Sequence, residues 1–363
     1  MRIINVVGAR PNFIKIAPIM AEYRKNTNIE AILVHTGQHY DCKMSDLFFS
    51  QIGISEPDDN LEVGSASHAV QTANIMKAFE PICKKYKPDG VLVVGDVNST
   101  IACGLVAVKL GIKLIHVEAG LRSGDREMPE EINRILTDSI SDLLFCTEKS
   151  GVNNLLNEGI SKNKIFFVGN VMIDTLLKNK VKAEKSKILE QLSISGKDYA
   201  VLTLHRPNNV DNIRVFNQII DALEVIQEHL LVIFPVHPRT RKNILGGNIG
   251  SRIKKMSNLK LIDPLGYLDF MKLMSAARLV LTDSGGLQEE TTVLGIPCLT
   301  LRNNTERPIT IDLGTNILTG TDPNVILKEF KRIIEGDCKQ GKIPHLWDGH
   351  AAERIVEKLT QLI

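Results

Sequence analysis

The sequence predicts an α/β protein with two domains, each built on a doubly wound parallel sheet. Short apolar runs rich in β-branched residues recur along the chain, and segments with helical spacing separate them. The runs are continuously apolar instead of alternating, which is typical of strands buried on both faces of a helix-covered parallel sheet. At 363 residues the chain can bury two cores, and two such series of strands follow one another.

The predicted strands each end in a polar or glycine-containing cluster. In the first half they are "RIINVVGARP", "AILVHTGQH", "GVLVVGDVN", "KLIHVEAG", "LLFCTE" and "KIFFVGN". In the second half they are "YAVLTLHRP", "LVIFPVHPR", "LKLIDPL", "RLVLTDSGG" and "PCLTLRNN". Strands that alternate with helical segments favour parallel pairing through β-α-β units.

The boundary between the two series is predicted near "VGNVMIDTLLKNKVKAEKSK". There the strand "KIFFVG" closes the first series, and a lysine-rich helix leads to the second. We therefore expect an N-terminal domain over 1–169 and a C-terminal domain over 170–349. A last helix is expected from about 350 to 363, because Ile355, Leu359 and Leu362 recur at helical spacing.

The composition narrows the classes of partner. The chain has 44 basic and 42 acidic side chains, so neither nucleic acid nor an anionic membrane is indicated as a partner. The six cysteines are scattered without a C-x-x-C pair, which argues against disulfides and a zinc site and favours a reducing cytoplasm. The apolar run in "MRIINVVGARP" is too short for a signal peptide or a membrane span.

Nearly every predicted strand ends beside a group that can bind an anion or move a proton. Open parallel sheets bind ligands at the carboxyl ends of their strands, so we predict an active site facing a cleft between the two domains. The alternative is that strand ends are polar only because they are surface loops. The groups are Arg10, His39, Asp96, Glu118, His205, His237, Ser284 and Arg302.

The segment "LTDSGGLQEE" predicts a phosphate or pyrophosphate site. Glycines and free amides at a helix start suit an anion, and an acidic residue one turn later can bind ribose hydroxyls. The alternative is a plain helix cap at Ser284. After the first strand the chain has "GARPNFIK" in place of a G-x-G-x-x-G fingerprint, which argues against a dehydrogenase. Arg10 and Lys15 stand there at the helix end that disfavours cations, which indicates a compensating anion.

The stretch "HVEAGLRSGDREMPEEINR" concentrates carboxylates after a predicted buried strand, and we interpret it as carrying acid and base residues. Asp125 and Glu127 are expected to be solvated loop charges. Glu131 is expected to pair with Arg134, which lies three residues later on the same helix.

Along the chain the following motifs occur in this order: "GARPNFIK", "TGQHYD", "GDVNST", "HVEAGLRSGD", "PEEINR", "VGNVMIDTL", "LHRPNN", "PVHP", "LTDSGGLQEE", "TERP" and "DGHAAERIVE". The same order is seen in non-hydrolysing UDP-N-acetylglucosamine 2-epimerases, which the chain resembles over almost its whole length. The resemblance implies the GT-B architecture, with two Rossmann-like domains, an active cleft between them and a C-terminal helix that packs back on the first domain. It also implies that UDP-N-acetylglucosamine (UDP-GlcNAc) and UDP-N-acetylmannosamine (UDP-ManNAc) are interconverted without a cofactor or metal, in a homodimer.

The resemblance also assigns roles to residues. The implied catalytic set is Asp96, Glu118, Glu130 and His205, with Glu130 chosen over Glu131 because it directly follows Pro129. The implied substrate-binding set is Arg10, Lys15, Gln71, Arg206, His237, Phe270, Ser284, Gly285, Gly286, Glu290 and Arg307. Within the second set, Ser284 to Gly286 would hold the pyrophosphate, Glu290 the ribose and Phe270 the uracil. Gln38 and His39 resemble part of an activator site for a second UDP-GlcNAc.

Asn208 departs from the family pattern. Family members commonly carry an acid at this position before Asn209, so the orientation of His205 by that acid is in question. Three alternative functions remain open from the sequence: a GT-B glycosyltransferase with a UDP-sugar donor, a catalytically silent UDP-sugar sensor, and a hydrolysing epimerase.

Overall fold

The chain forms two compact units. The computed structural model describes residues 1–37, 49, 51–245 and 248–363, so Gln38 and His39 lie outside the described residues. Unit 1 consists of Met1–Lys178 together with His345–Ile363, and unit 2 consists of Asn179–Pro344. Among the described residues, no helix combines the length and apolar character needed to cross a membrane.

Unit 1 is built on a seven-stranded sheet covered by helices. Its strands are β1 (Arg2–Val7), β2 (Glu30–His35), β3 (Asp59–Asn60), β4 (Gly90–Val94), β5 (Lys113–Val117), β6 (Leu143–Cys146) and β7 (Ile165–Phe167). Its helices are α1 (Arg10–Tyr23), α2 (His68–Tyr86), α3 (Asn98–Lys109), α4 (Pro129–Ile140), α5 (Lys149–Asn157) and most of α6 (Val171–Glu184), with a 3₁₀ turn at Lys162–Lys164.

All strand pairings in unit 1 are parallel, in the order β3-β2-β1-β4-β5-β6-β7. The chain winds outward from β1 to β3 and then returns to β4, so the order reverses between β1 and β4. This reversal is the position at which doubly wound sheets bind ligands. The apolar residues of β1, β2 and β4 are buried against α2 and α3, which explains why those strands are continuously apolar.

Unit 2 repeats this plan with six strands: β8 (Tyr199–Thr203), β9 (Leu231–Pro235), β10 (Leu259–Ile262), β11 (Leu279–Thr282), β12 (Cys298–Thr300) and β13 (Asn316–Leu318). They pair in parallel in the order β10-β9-β8-β11-β12-β13. The helices are α7 (Ile188–Gln191), α8 (Pro207–Val210), α9 (Ile213–His229), α10 (Pro238–Leu245), α11 (Asn248–Ile253), α12 (Tyr267–Ser275), α13 (Gly285–Leu294), α14 (Pro308–Asp312) and α15 (Pro323–Ile334). The doubly wound parallel α/β class is confirmed in both units.

The observed division of the chain differs from the predicted boundaries. It falls between Lys178 and Asn179 and again between Pro344 and His345, whereas the sequence placed it at 169/170 and 349/350. Helix α6 begins just after the first predicted boundary and crosses the observed one between Lys178 and Asn179, and its Thr175 hydroxyl donates to the Ile14 carbonyl at 2.6 Å. A boundary inside a continuous helix leaves no break in the sequence pattern that would mark it.

The last helix, α16 (Ala351–Leu362), belongs to unit 1 and packs against α1. Its first two amides donate to the buried carboxylate of Asp174, at 3.2 Å from Ala351 and 2.7 Å from Ala352. Just before the helix, the Trp347 indole donates to the Thr147 carbonyl at 3.0 Å. These bonds fix the C-terminal segment on unit 1.

Candidate active site

The candidate site of unit 1 lies at the carboxyl ends of β1, β4 and β5. Asn12, in the first turn of α1, joins two of these ends: its side chain accepts from the amides of Gly8 and Ala9 and donates to the Val94 carbonyl at 2.9 Å. Arg10 is half-buried at the first position of the same helix. The segments carrying Arg10 and Asp96 are therefore held next to each other.

Lys15 and Glu118 form a buried ion pair. The lysine is 6% and the glutamate 4% exposed, and the Lys15 ammonium donates to Glu118 Oε2. A side-chain carbon at Gly95 would lie 3.2 Å from both charged groups, so the pair fills the space beside the β4 turn. The sequence indicated a compensating anion for Lys15, and in the structure that anion is Glu118.

Glu118 also has an unusual backbone. Its φ is +73°, in the left-handed region that residues other than glycine seldom adopt. The amides of Glu118 and Ala119 both donate to the Phe145 carbonyl at 3.0 Å, which anchors the turn to β6. Left-handed residues of this kind are concentrated at functional sites, where the surrounding structure keeps them in place.

Arg134 connects Asp96 to Glu131. Its guanidinium donates to Asp96 Oδ2 and, at 2.6 and 2.9 Å, to Glu131 Oε2, so the predicted Glu131–Arg134 pair is confirmed. Burial raises the pKa of Glu131, but hydrogen bonds from the Ser123 amide and Arg134 outweigh this and lower it. Glu131 therefore has a structural role.

Glu130, the neighbouring carboxylate, is half-buried and has no hydrogen bond or ion pair within the described part of the chain. It remains available for chemistry in a way that Glu131 does not. Gln71, by contrast, is already bonded at both ends of its amide. It donates to the Gly64 carbonyl at 2.9 Å and accepts from Asn98 at 2.8 Å.

In unit 2 the site is organised by Asp283, a fully buried residue at the end of β11. Its carboxylate contacts His205 Nδ1 at 2.8 Å and accepts from the amides of His205 and Arg206 and from the Asn209 side chain. Burial alone would raise the pKa of Asp283, but His205 and the backbone amides lower it. The His205 ring, 43% exposed in its side chain, is thus oriented through Nδ1 and leaves Nε2 for a ligand.

Asn208 is exposed, and the carboxylate that orients His205 is Asp283. The departure from the family pattern at Asn208 therefore removes no orienting bond. His237 is exposed at the end of β9, and its ring centroid lies 6.1 Å from that of His205. These two histidines come together although they follow different strands.

Three arginines surround the buried carboxylate of Glu306. Arg302 donates to it at 2.8 Å, Arg307 at 2.5 Å, and Arg206 Nη2 lies 3.7 Å away. Burial opposes ionisation of Glu306, but the three cations lower its pKa well below its usual range. Arg307 also forms an ion pair with Glu289, with Nε 2.8 Å from Oε1, so the two glutamates fix the arginines in place.

This cluster lies directly against the start of α13. A side-chain carbon at Gly285 would be 2.6 Å from Arg307 Nη1 and from Glu306 Oε1, so only glycine fits there. Ser284 is the N-cap residue, yet its side chain makes no capping hydrogen bond in the described structure. The first turn of α13 presents amides that have no partner earlier in the helix, and Ser284 does not cap them in the described structure.

The two remaining residues of the predicted nucleotide site lie on neighbouring helices of unit 2. Glu290 is buried on α13 and accepts from the Tyr267 hydroxyl at 3.4 Å. Phe270 is half-buried on α12, which packs against α13. Because Glu289 is bound to Arg307, Glu290 is the better placed of the two glutamates to contact a ligand.

Sequence reasoning missed three residues that shape the site. Asp283 and Glu306 stand beside predicted site residues, in "TDSGG" and "TERP", and the sequence predicts Arg134 only as a partner of Glu131. The sequence feature that could have indicated these residues is a charged side chain next to a binding motif. Whether such a side chain points into the site depends on the fold, which the local sequence does not determine.

Comparison with known proteins adds the decisive observation. The family model described as UDP-N-acetylglucosamine 2-epimerase matches residues 21–360. The chain belongs to this family. Within this epimerase family, the chain is 47% identical to a UDP-N-acetylglucosamine 2-epimerase homolog of Methanococcus maripaludis, over 100% of both chains.

Two further family members bear on the choice of substrate. The crystal structure of the Methanocaldococcus jannaschii UDP-GlcNAc 2-epimerase in complex with UDP-GlcNAc and UDP matches with a TM-score of 0.93 and 44% identity, covering 99% of this chain and 100% of that one. The UDP-2,3-diacetamido-2,3-dideoxy-D-glucuronate 2-epimerase of Pseudomonas aeruginosa is 40% identical over 100% of both chains. Both enzymes named here are 2-epimerases of UDP-linked sugars.

Proposed function

We propose that this protein is an isomerase that interconverts UDP-GlcNAc and UDP-ManNAc. The proposal is carried by one observation on a chain of the epimerase family. Two carboxylates lie at the carboxyl ends of the unit 1 strands and are held there by cations, Asp96 by Arg134 and Glu118 by Lys15. A glycosyltransferase would need the nucleotide grip of unit 2 but not a pair of carboxylates for chemistry at C2. A UDP-sugar sensor would need neither carboxylate.

Unit 2 holds the nucleotide in this proposal. The amides of Gly285 and Gly286 and the Ser284 hydroxyl bind the pyrophosphate, while Glu290 binds the ribose and Phe270 lies at the uracil. Arg206, Arg307, His205 and His237 surround the phosphates. The arginines are held by Glu306 and Glu289 before any substrate arrives, so they need little reorganisation as charge develops on the departing UDP.

Unit 1 moves the protons. A base removes the weakly acidic proton at C2, the C–H electron pair forms the C1–C2 double bond, and UDP leaves with the electrons of the C1–O bond. The resulting 2-acetamidoglucal takes a proton on the opposite face of C2 and UDP adds back at C1. Inversion needs groups on both faces, and we assign Asp96, Glu118 and Glu130 to this work, with Arg10 and Lys15 supplying positive charge.

Incubation of the protein with UDP-GlcNAc alone in deuterated water tests the proposal. We expect UDP-ManNAc to form and both epimers to carry deuterium at C2. No change without an added acceptor would favour the glycosyltransferase, and binding without exchange would favour the sensor. Release of free N-acetylmannosamine and UDP would identify a hydrolysing epimerase.

A second candidate substrate is UDP-2,3-diacetamido-2,3-dideoxy-D-glucuronate, because a full-length relative that is 40% identical bears the name of its 2-epimerase. The reaction type is the same, and the sugars differ at C3 and C6. Parallel assays with both sugars decide between them. A larger kcat/KM for the diacetamido sugar than for UDP-GlcNAc would identify the diacetamido sugar as the substrate.

Three features of the biological setting complete the proposal. We place the enzyme in the cytoplasm as a homodimer, on the basis of the cysteine pattern and the family resemblance. Light scattering in solution should then give twice the chain mass of 40.3 kDa. Activation by a second UDP-GlcNAc through Gln38 and His39 stays a prediction, since both residues lie outside the described residues.

A further inference from the structure

His116 is fully buried in β5, two residues before Glu118, and both of its ring nitrogens face hydrogen-bond acceptors. Nδ1 lies 2.6 Å from Asp138 Oδ1, and Nε2 lies 2.9 Å from the Gly95 carbonyl. A carboxylate and a carbonyl are both acceptors, so each ring nitrogen of His116 faces a group that can accept a hydrogen bond. The mechanism proposed above uses neither His116 nor Asp138.

Asp138, on α4, is also fully buried, and its second oxygen is equally engaged. Oδ2 accepts from the Gly120 amide at 3.0 Å and from Arg122 at 2.7 Å. Burial raises the pKa of Asp138, but His116 and Arg122 outweigh burial and lower it. The two side chains therefore form one continuous chain of bonds from Gly95 to Gly120.

The two ends of this chain of bonds lie in the turns that carry the acid and base candidates. Gly95 directly precedes Asp96, and Gly120 follows Glu118 by two residues. Both glycines have positive φ, +71° and +81°, and a side-chain carbon at Gly120 would lie 2.3 Å from the Gly151 carbonyl oxygen. These turns tolerate little adjustment.

Glu118 needs such support because its own φ of +73° is unfavourable for a glutamate. A left-handed conformation is energetically unfavourable for such a residue and persists only where its surroundings fix it. The Phe145 carbonyl holds the Glu118 and Ala119 amides from one side. Asp138 holds the next amide, that of Gly120, from the other.

We propose that His116 and Asp138 are positioning residues for the epimerase reaction. The pair fixes the turns of Asp96 and Glu118 relative to each other and contacts no substrate itself. A displacement of about 1 Å at a reacting group can lower a rate by about a hundredfold, which makes this positioning important for turnover. The inference rests on the epimerase function proposed above.

Two substitutions separate the two halves of the pair. His116→Gln keeps a donor near the Nε2 position, towards Gly95, and loses the bond to Asp138. His116→Asn keeps a donor near the Nδ1 position, towards Asp138, and loses the bond to Gly95. We expect each to lower kcat by about tenfold to a hundredfold while KM and the affinity for UDP stay within about twofold. His229→Gln, at an exposed histidine of unit 2, is the matched control and should leave kcat unchanged.

Arg122→Gln provides a second test in case the His116 variants do not fold. It removes one donor to Asp138 at the partly exposed end of the network and leaves His116 in place. We expect a smaller loss of kcat than for either His116 variant. Deuterium exchange at C2 is measured for all variants beside the wild type.

The outcomes distinguish the inference from the function on which it rests. Exchange in the wild type with reduced exchange and unchanged UDP affinity in the variants supports positioning. Undiminished kcat in the folded His116 variants, or a parallel loss of kcat and UDP affinity, would overturn the positioning role and leave the function intact. Absence of exchange in the wild type would overturn both.

Discussion

At the scale of single residues, the buried pair of Lys15 and Glu118 leads to the first prediction. Glu118→Gln removes a proton-transfer group and should lower kcat by about 10²–10⁴-fold. UDP affinity should be retained, because the proposed function assigns nucleotide binding to residues of unit 2. The variant also leaves Lys15 buried beside a neutral amide, so the free energy of unfolding of unit 1 should fall by up to about 3–5 kcal/mol. Steady-state kinetics, UDP titration and denaturation measure the three effects.

Glu127→Gln is the matched control for this substitution. Glu127 is an exposed carboxylate in the loop before α4, and we expect its replacement to change neither kcat nor stability. Full activity in Glu118→Gln would remove Glu118 from the mechanism.

The second prediction concerns the residue that orients His205. Asp283→Asn reduces the acceptor capacity that now serves His205, Arg206 and Asn209, so both kcat and UDP affinity should fall by about tenfold or more. Asn208→Asp restores the acid usual in the family at an exposed position and should leave both within about twofold. The opposite ranking would show that the acid at 208, and not Asp283, orients the histidine.

At the scale of elements, Asp174 ties helix α6 to the start of α16 and supplies the third prediction. Burial raises the pKa of this carboxyl from 3.8 to about 6, although the amides of Ala352 and Ala351 act in the opposite direction. Between these pH values the folded chain holds a proton that the unfolded chain has lost. The contribution of Asp174 to stability therefore falls as pH rises from about 4 to about 6.

Asp174→Asn removes this titration. At about 1.4 kcal/mol per pKa unit, the wild type should lose about 3 kcal/mol relative to the variant between pH 4 and pH 7. Denaturation followed by fluorescence of Trp347, the single tryptophan, reports on unit 1 because this side chain is buried there. A difference between the two proteins that does not change with pH would contradict the assigned pKa.

The strands show how far local sequence determines an element. All eleven apolar runs form strands, since a buried parallel strand needs a continuous apolar segment and little else. Within the described ranges, the strands that the sequence pattern does not predict are β3 and β13, with two and three residues. Segments this short have no detectable period, and they form because a neighbouring strand offers free backbone groups.

The contacts in the site are likewise of two kinds: some follow from local sequence spacing, and others form only through the fold. The pair of Glu131 and Arg134 follows from spacing along one helix and was predicted. The pair of Lys15 and Glu118 joins residues from α1 and the end of β5, which only the strand order brings together. Residue type and motif therefore indicate which groups take part in the chemistry, and the fold decides which of them are partnered.

At the scale of the whole molecule, the proposed function assigns one task to each unit: residues of unit 2 bind the diphosphate, and carboxylates of unit 1 remove and return a proton at C2. Its central claim is that the C1–O bond to UDP breaks during each inversion. UDP-GlcNAc labelled with oxygen-18 in the bridge between C1 and the β-phosphorus tests this claim by phosphorus NMR. Rotation of the free β-phosphate before re-addition would move the label.

We predict that the label appears in non-bridging positions of the β-phosphate while UDP-ManNAc forms. Inversion at C2 with all of the label still in the bridge would contradict the account, because UDP would then never have left the sugar.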